Sequence, residues 1–312
     1  MDKSDLGNRM KEYEAVSRHY LTRRMPVIIR LDGKAFHTFT RGMQRPFDNI
    51  LTKTMQDTMK YLCENIQGCV LGYTQSDEIT LVLVDYKQLN SCAWFDNNIQ
   101  KMVSISASMA TLAFNNYFSE IVEELSQDEL NDRAYTEDEL VEFDKKWDVY
   151  YKKNNSALFD SRVFNIPKEE VTNCLIWRQQ DAVRNSIQSV GQANFSHKEL
   201  HKKSCNMIQE MLMTEKNINW NDIPTYLKRG SCCIKRDIVE TGRTEWFEDL
   251  EIPTFTQDRN YVESRIYFDD FNEIQDTERI KKKMMENAIK ELSKLDIPPI
   301  YIGNINSKLM NN

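Results

Sequence analysis

Hydrophobic positions recur at helical spacing over residues 5–21, at Leu6, Met10, Tyr13, Val16 and Tyr20. They do so again after Asp48, a fitting N-cap, at Leu51, Met55, Met59, Leu62 and Ile66, and Gly68 ends that run. Between these two helices Pro26 opens an apolar run, Val27 to Leu31, that ends in Asp32-Gly33. Residues 69–85 predict a hairpin, Cys69 to Tyr73 and Ile79 to Val84, with Gln75-Ser76-Asp77 at its turn. A helix is predicted over 98–118, with Ser104, Ser108, Thr111 and Asn115 as a stripe for close packing on the sheet. The acidic stretch 120–148 predicts a helical excursion or a mobile loop. Arg162 to Ile166 predict a strand closed by Pro167.

The resulting succession β-α-β-β-α-β over 27–166 is the split arrangement of palm and ferredoxin-like domains. The expected fold class is α+β, an antiparallel sheet with helices on one face, plus a helical and β-containing C-terminal extension. Residues 168–227 read as helical. Two or three strands are expected in 230–268, clearest at Ser231 to Arg236 and Tyr261 to Tyr267. A last helix is expected from Asp276 to Leu295, stopped by Pro298-Pro299. The expected domains are a palm-like catalytic one over 1–167, with its acidic excursion at 120–148, and a C-terminal region over 168–312 packed on it.

With 312 residues and 40% hydrophobic positions the chain can bury a sizeable core. No apolar run reaches the ~18–20 residues of a membrane span, and Met1 to Asp5 begin no signal-peptide core, so the expectation is a cytoplasmic protein. Seven cysteines without a CxxC pair argue against a zinc ribbon or a disulfide framework. Cys232 and Cys233 are expected on opposite faces of one strand, one of them buried. His197 and His201 have metal-pair spacing but no third ligand nearby, which favours a solvated helix face.

The net charge of −7 argues against indiscriminate nucleic-acid binding, but the charge is unevenly spread. Residues 1–60 and 161–236 each carry +5, whereas 120–148 and 237–280 each carry −9. Basic blocks of this kind suit phosphate contacts; ordinary surface variation is the plainer reading.

Asp32 and Asp77, with Glu78 beside the latter, stand at strand ends that meet if the strands are neighbours. Taken singly, Asp32-Gly33 is a turn and Asp77-Glu78 a strand cap. Taken together, crowded carboxylates repel unless cations lie between them, and two Mg²⁺ held by shared carboxylates are the usual arrangement for nucleotidyl transfer. Gly33 permits close approach, and its carbonyl can add a ligand. A strand would turn Glu78 to the face opposite Asp77.

Five segments in order strengthen this reading: Arg30 to Phe39, Gly72 to Glu78, Phe159 to Val163, Trp177 to Asp181, and Lys228-Arg229-Gly230. From about Met10 to about Arg236 the chain resembles the tRNA(His) guanylyltransferase family, which adds nucleotides to tRNA 5′ ends in the 3′ to 5′ direction on a palm fold. The resemblance implies Asp32, Gly33 and Asp77 as ligands of two Mg²⁺, with Asp32, Asp77 and Glu78 in catalysis. It implies nucleotide contacts from Asp32, Gly33, Lys34, Ala35, Phe36, His37, Arg45, Asp48, Ser76, Asp77 and Lys101. It also implies ATP and GTP or other nucleoside triphosphates as substrates, tRNA as partner and a homotetramer. Arg178, Arg184, Asn185, Lys198, Lys228 and Arg229 are the candidate tRNA contacts. Val183 stands where the eukaryotic members carry a histidine, within Asp181 to Ile187, and this looks like the guanylyltransferase-like branch associated with template-directed repair of 5′-truncated tRNA. Two other classes share parts of the pattern: a forward-acting palm nucleotidyltransferase or cyclase, with the same carboxylates, and a non-catalytic tRNA-binding module, with the same basic blocks.

Overall fold

The computed structural model describes residues 4–268, apart from 89, 133 and 239–241. In chain order the elements are α1 (Asp5–Val16), β1 (Val27–Gly33), α2 (Phe36–Phe39), α3 (Asn49–Asn65), β2 (Cys69–Gln75), β3 (Glu78–Leu83), α4 (Ile99–Asn131), α5 (Glu137–Tyr151), β4 (Phe159–Asn165), α6 (Lys168–Asn194), α7 (His197–Leu200), α8 (Cys205–Lys216), α9 (Thr225–Arg229), β5 (Ser231–Ile238), β6 (Arg243–Asp249) and α10 (Asn260–Glu263).

The six strands form one antiparallel sheet in the order β4-β1-β3-β2-β5-β6. The first four give the palm arrangement the hydrophobic pattern predicts. β5 and β6 extend the same sheet beside β2, so strand pairing continues across residue 167. Alternate positions Val27, Ile29 and Leu31 on β1 and Ile79, Leu81 and Leu83 on β3 are buried with Met55, Met59 and Leu62 of α3 and Met102, Phe114 and Phe118 of α4. Each such side chain contributes about 1.5–3 kcal/mol of burial. The intervening positions, among them Arg30, Asp32, Thr80 and Glu78, turn to the other face, where α6 and the chain around Phe255 lie.

Asp48 caps α3 as expected, accepting from the Leu51 amide at 2.9 Å. The acidic stretch 120–148 is helical: α4 runs on to Asn131, and α5 starts from a capping box of Thr136 and Glu139. The packing stripe of α4 is displaced from the expected one. Ser104 and Ser108 are exposed, and Met102, Ser106, Ala110 and Phe114 face the core. Thr111 and Asn115 do bind the sheet, through the Phe159 amide and the Ala157 carbonyl.

Three further expectations are corrected. Helix α1 ends at Val16, short of residue 21, and its apolar stripe is exposed. Tyr261 to Tyr267 is no strand: the segment begins as α10, because Val262 and Ile266, four apart, are the positions that fill the core. Cys232 and Cys233 are both buried, because the sheet is covered on both sides at β5. The helix expected over 276–295 lies outside the described residues.

Candidate active site

The ladder register brings together what the sequence separates. Asp32 stands opposite Glu78 on β3 and opposite Asp160 on β4. Directly opposed residues of an antiparallel pair share a face, so Asp160, Asp32 and Glu78 form a row of carboxylates across the end of the sheet. The Gly33 amide donates to the Asp77 carbonyl at 3.0 Å, which docks the β2–β3 turn onto the end of β1. Ser76, at φ +54°, tips that turn, and its hydroxyl donates to Asp77 at 3.0 Å.

Burial pushes the Asp77 carboxyl above the usual carboxylate range, against the hydrogen bond from Ser76, and the charge on Asp32 pushes the same way. Burial also raises Glu78, opposed by Arg178 and Arg30 and assisted by Asp32. Here the largest cause is desolvation; the negative charges add to it. Arg178 answers it in part. Its Nε donates to Glu78 at 2.6 Å and its Nη2 to Asp181 at 2.9 Å. Asp181 is paired on its other oxygen with Arg184.

Gly33 is required by packing on the opposite face. A Cβ there would lie 2.3 Å from the Phe36 ring. That ring is buried against Phe39, Phe114 and Phe159, so Phe36 turns only backbone toward the site. The Lys34 amide donates to the Leu158 carbonyl at 2.8 Å, and Ala35 then takes a left-handed φ of +56°. The next three amides, Ala35, Phe36 and His37, make no hydrogen bond within the described residues. Successive free amides around a left-handed residue form a nest for anionic oxygen.

Beside this turn opens a cavity of about 430 Å³, lined among others by His37, Arg45, Asp48, Ser76, Asn185 and Gln192. The Asp48 carboxylate at its wall is fully engaged. It accepts from the Leu51 amide at 2.9 Å, the Gln44 amide at 3.0 Å and the Tyr150 hydroxyl at 2.7 Å.

The remaining candidates are scattered. Lys101 stands ten residues before Thr111 on α4, about 15 Å along the helix from the turn that meets Phe159. Its ammonium lies over Phe95 instead. Arg178 is held at the floor of the site, its side chain 12% exposed. Lys228 is 8% exposed, and its Nζ donates to the Asn221 carbonyl. Arg229 donates to Thr254 at 2.7 Å, and its carbonyl accepts from the Tyr73 hydroxyl at 2.8 Å. Gly230 follows at φ +86°, where a side chain would meet the Thr74 carbonyl at 2.6 Å. Arg229 and Gly230 fasten α9 to β2, and Lys228 ties it to the preceding turn. Arg184 and Lys198 are exposed, and Asn185 faces the cavity.

Sequence reasoning gives Asp160, Arg162, Arg30 and Trp177 no role, although all four lie in the matching segments. Arg162 reaches Asp160 at 3.5 Å and Asp32 at 3.9 Å, and Arg30 lies beneath the ring of Trp177. The period-two alternation of β1 and β4 is the signal, but only the register shows which positions oppose each other. Among the described residues no group of three or more His, Cys, Asp or Glu is gathered as a ready-made metal cage.

The family model described as tRNAHis guanylyltransferase matches residues 7–167. A solved bacterial tRNA(His) guanylyltransferase-like protein in complex with ATP superposes with a TM-score of 0.71 at 43% identity, covering 85% of this chain and 100% of that one. A structure of a bacterial protein of the same description in complex with GTP gives a TM-score of 0.65 at 38% identity, covering 84% and 100%. A relative in Acanthamoeba polyphaga mimivirus, protein R259, is 28% identical over 254 residues, 77% of this chain and 80% of its own length. With the palm topology and the carboxylate row in place, the chain belongs to the tRNAHis guanylyltransferase family of nucleotidyltransferases.

Proposed function

We propose that this chain adds nucleotides to the 5′ end of tRNA in the 3′ to 5′ direction, using two Mg²⁺ and repairing 5′-truncated tRNA by template-directed addition. The single observation that carries the chemistry is the row Asp160, Asp32 and Glu78 with Asp77 docked at its end. Such an excess of half-buried negative charge has its use when cations and phosphates share the site.

Asp32, Asp77 and the Gly33 carbonyl are the groups that would hold Mg²⁺; burial raises the Asp77 carboxyl, and a cation beside it would offset that cost. Few protein ligands suit this ion, which takes one or two carboxylates and leaves its other positions to phosphates and water. When bound, the two ions supply charge neutralisation at the transferring phosphorus. The chain's own part is to hold and align. The free amides of Ala35 to His37, the hydroxyl of Ser76 and the cations of Lys34 and Arg45 receive a triphosphate. The cavity between α3 and α6 receives its nucleoside, and ATP and GTP in the bacterial neighbours support that class of ligand. ATP first adenylylates the RNA 5′-phosphate with loss of pyrophosphate, and the 3′-OH of the bound nucleotide then attacks that phosphorus near Asp32, forming the new phosphodiester as AMP and the hydroxyl proton leave. No side-chain nucleophile takes part; alignment and electrostatics suffice.

The division into a catalytic part over 1–167 and a tRNA-contacting part over 168–312 belongs to the same proposal, with exposed Arg184 and Lys198 and cavity-facing Asn185 as contacts. Val183 supports the repair reading: it packs into the apolar cluster of α6 and α8, where the histidine of the eukaryotic pattern has no counterpart. Assembly as a homotetramer is supported by the exposed apolar stripe of α1.

The test is incubation with 5′-truncated tRNA, ATP and labelled nucleoside triphosphates, with the opposing base varied. Nucleotides gained at the 5′ end and matching the opposing base are expected. Asp77→Ala should lower the rate by several orders of magnitude while the protein stays folded. Growth at the 3′ end, or addition of G whatever the opposing base, would refute the reading.

A further inference from the structure

Trp177 is half exposed, and its ring lies in none of the apolar clusters described. It is bracketed by cations instead. The Arg178 guanidinium lies 4.4 Å from its ring centre and the Arg30 guanidinium 5.4 Å. Arg178 is neutralised by Glu78 and Asp181, whereas Arg30 forms no ion pair among the described residues, and its buried Nε has no hydrogen-bond partner. Arg30 also stands directly opposite Arg162 in the ladder. Like charges placed so are destabilising. Arg162 relieves little of this, since its contacts to Asp160 and Asp32 are long, 3.5 and 3.9 Å, and half exposed. Two adjacent guanidinium groups and an open indole thus form a border beside the carboxylate row, two residues away along β1 and β4. The nucleotide cavity borders it on the side of β2, between the β2–β3 turn and Asn185.

We propose that this second border seats the 5′ end of the RNA, with the 5′-phosphate on Arg30 and Arg162 and the terminal base stacked on Trp177. The inference rests on the proposed reaction and specifies where its second substrate enters. The reaction needs an RNA 5′-phosphorus and a nucleotide 3′-OH to arrive at one point from separate seats, and the row of Asp160, Asp32 and Glu78 has a cationic, aromatic border along β1 and β4 and a separate cavity at β2. A planar indole suits this place because every base has a π-face, so stacking holds the end of any truncated tRNA without reading its sequence. Trp177 is a positioning residue in this scheme; it touches the substrate's terminal base, not the reacting atoms.

The experiment uses the full chain and a 5′-phosphorylated, 5′-truncated tRNA, with versions bearing an abasic terminal nucleotide or a 5′-hydroxyl. RNA affinity is read by fluorescence anisotropy, and KM and kcat by nucleotide addition. Trp177→Ala should weaken RNA binding about 5- to 150-fold, the range of one lost base stack, while leaving nucleotide affinity unchanged. Trp177→Phe should keep most of it. With the abasic RNA, Trp177→Ala should cause no further loss, because the stack is already gone. Arg162→Ala should erase the preference for 5′-phosphate over 5′-hydroxyl. Equal affinity of Trp177→Ala for the intact RNA, or additive losses with the abasic one, would overturn the proposal. The binding measurements stand without turnover, so a failure of the 3′ to 5′ reading appears as absent 5′ addition with stacking intact.

Discussion

Replacing Arg178 by alanine separates two views of this residue: a tRNA-binding cation, as its place in a basic block suggests, or part of the floor of the site. Its side chain is 12% exposed and that of Glu78 17%, so removal leaves a carboxylate facing little water. Breaking a fully buried pair costs about 3–5 kcal/mol; with Arg30 still nearby and the site open on one side, about 2–3 kcal/mol is expected. At about 2–4 °C per kcal/mol for a domain of this size, Tm should fall by roughly 5–10 °C at pH 7.5. The loss should depend on pH. Burial already holds Glu78 above the ordinary carboxylate range, and without Arg178 it climbs further. A raised carboxyl favours the folded state while protonated, and that advantage disappears as pH rises through its folded value. The deficit should therefore be full at neutral pH and shrink toward pH 4–5, where glutamate in the unfolded chain begins to protonate. The double variant Arg178→Met with Glu78→Gln should recover part of the loss, since the carboxylate left without its guanidinium is gone. Thermal unfolding across pH, beside RNA affinity for the same proteins, is the assay. An Arg178→Ala protein with unchanged Tm and weakened RNA binding would refute the reasoning and return Arg178 to the tRNA contacts.

Gly33→Ala should destabilise by about 1–3 kcal/mol through collision with Phe36, and Phe36→Leu should restore part of it; urea unfolding of the single and double variants reads both. Asp77→Asn removes a half-buried ionised group, so its Tm should exceed that of the wild type at pH 7, and the gap should close as pH falls into the ordinary carboxylate range, where Asp77 is protonated anyway. Equal Tm at both pH values would show that the Asp77 charge costs the fold nothing.

What the sequence determined is local or repeats at short period. The apolar runs Val27 to Leu31 and Ile79 to Leu83, the Asp48 cap and the stripe of α3 followed from residue order and spacing, because neighbours in the chain set those patterns. Asp32 and Asp77 were legible as a pair because each ends or adjoins a strand in a motif of known order. Tertiary structure decided everything that depends on register and cover. Asp160 joins the carboxylates because β4 pairs with β1 residue for residue, and no local signal fixes that alignment. The basic block of 161–236 divided in three dimensions: Arg178 and Lys228 turned inward to a carboxylate and a carbonyl, while Arg184 and Lys198 stayed outside. Charge along the chain does not reveal which side of a helix is covered. The chain from Val262 to Ile266 took a short helix and turn rather than strand geometry for the same reason: a segment that alternates along its length also contains positions four apart, and the core available to it selects between them.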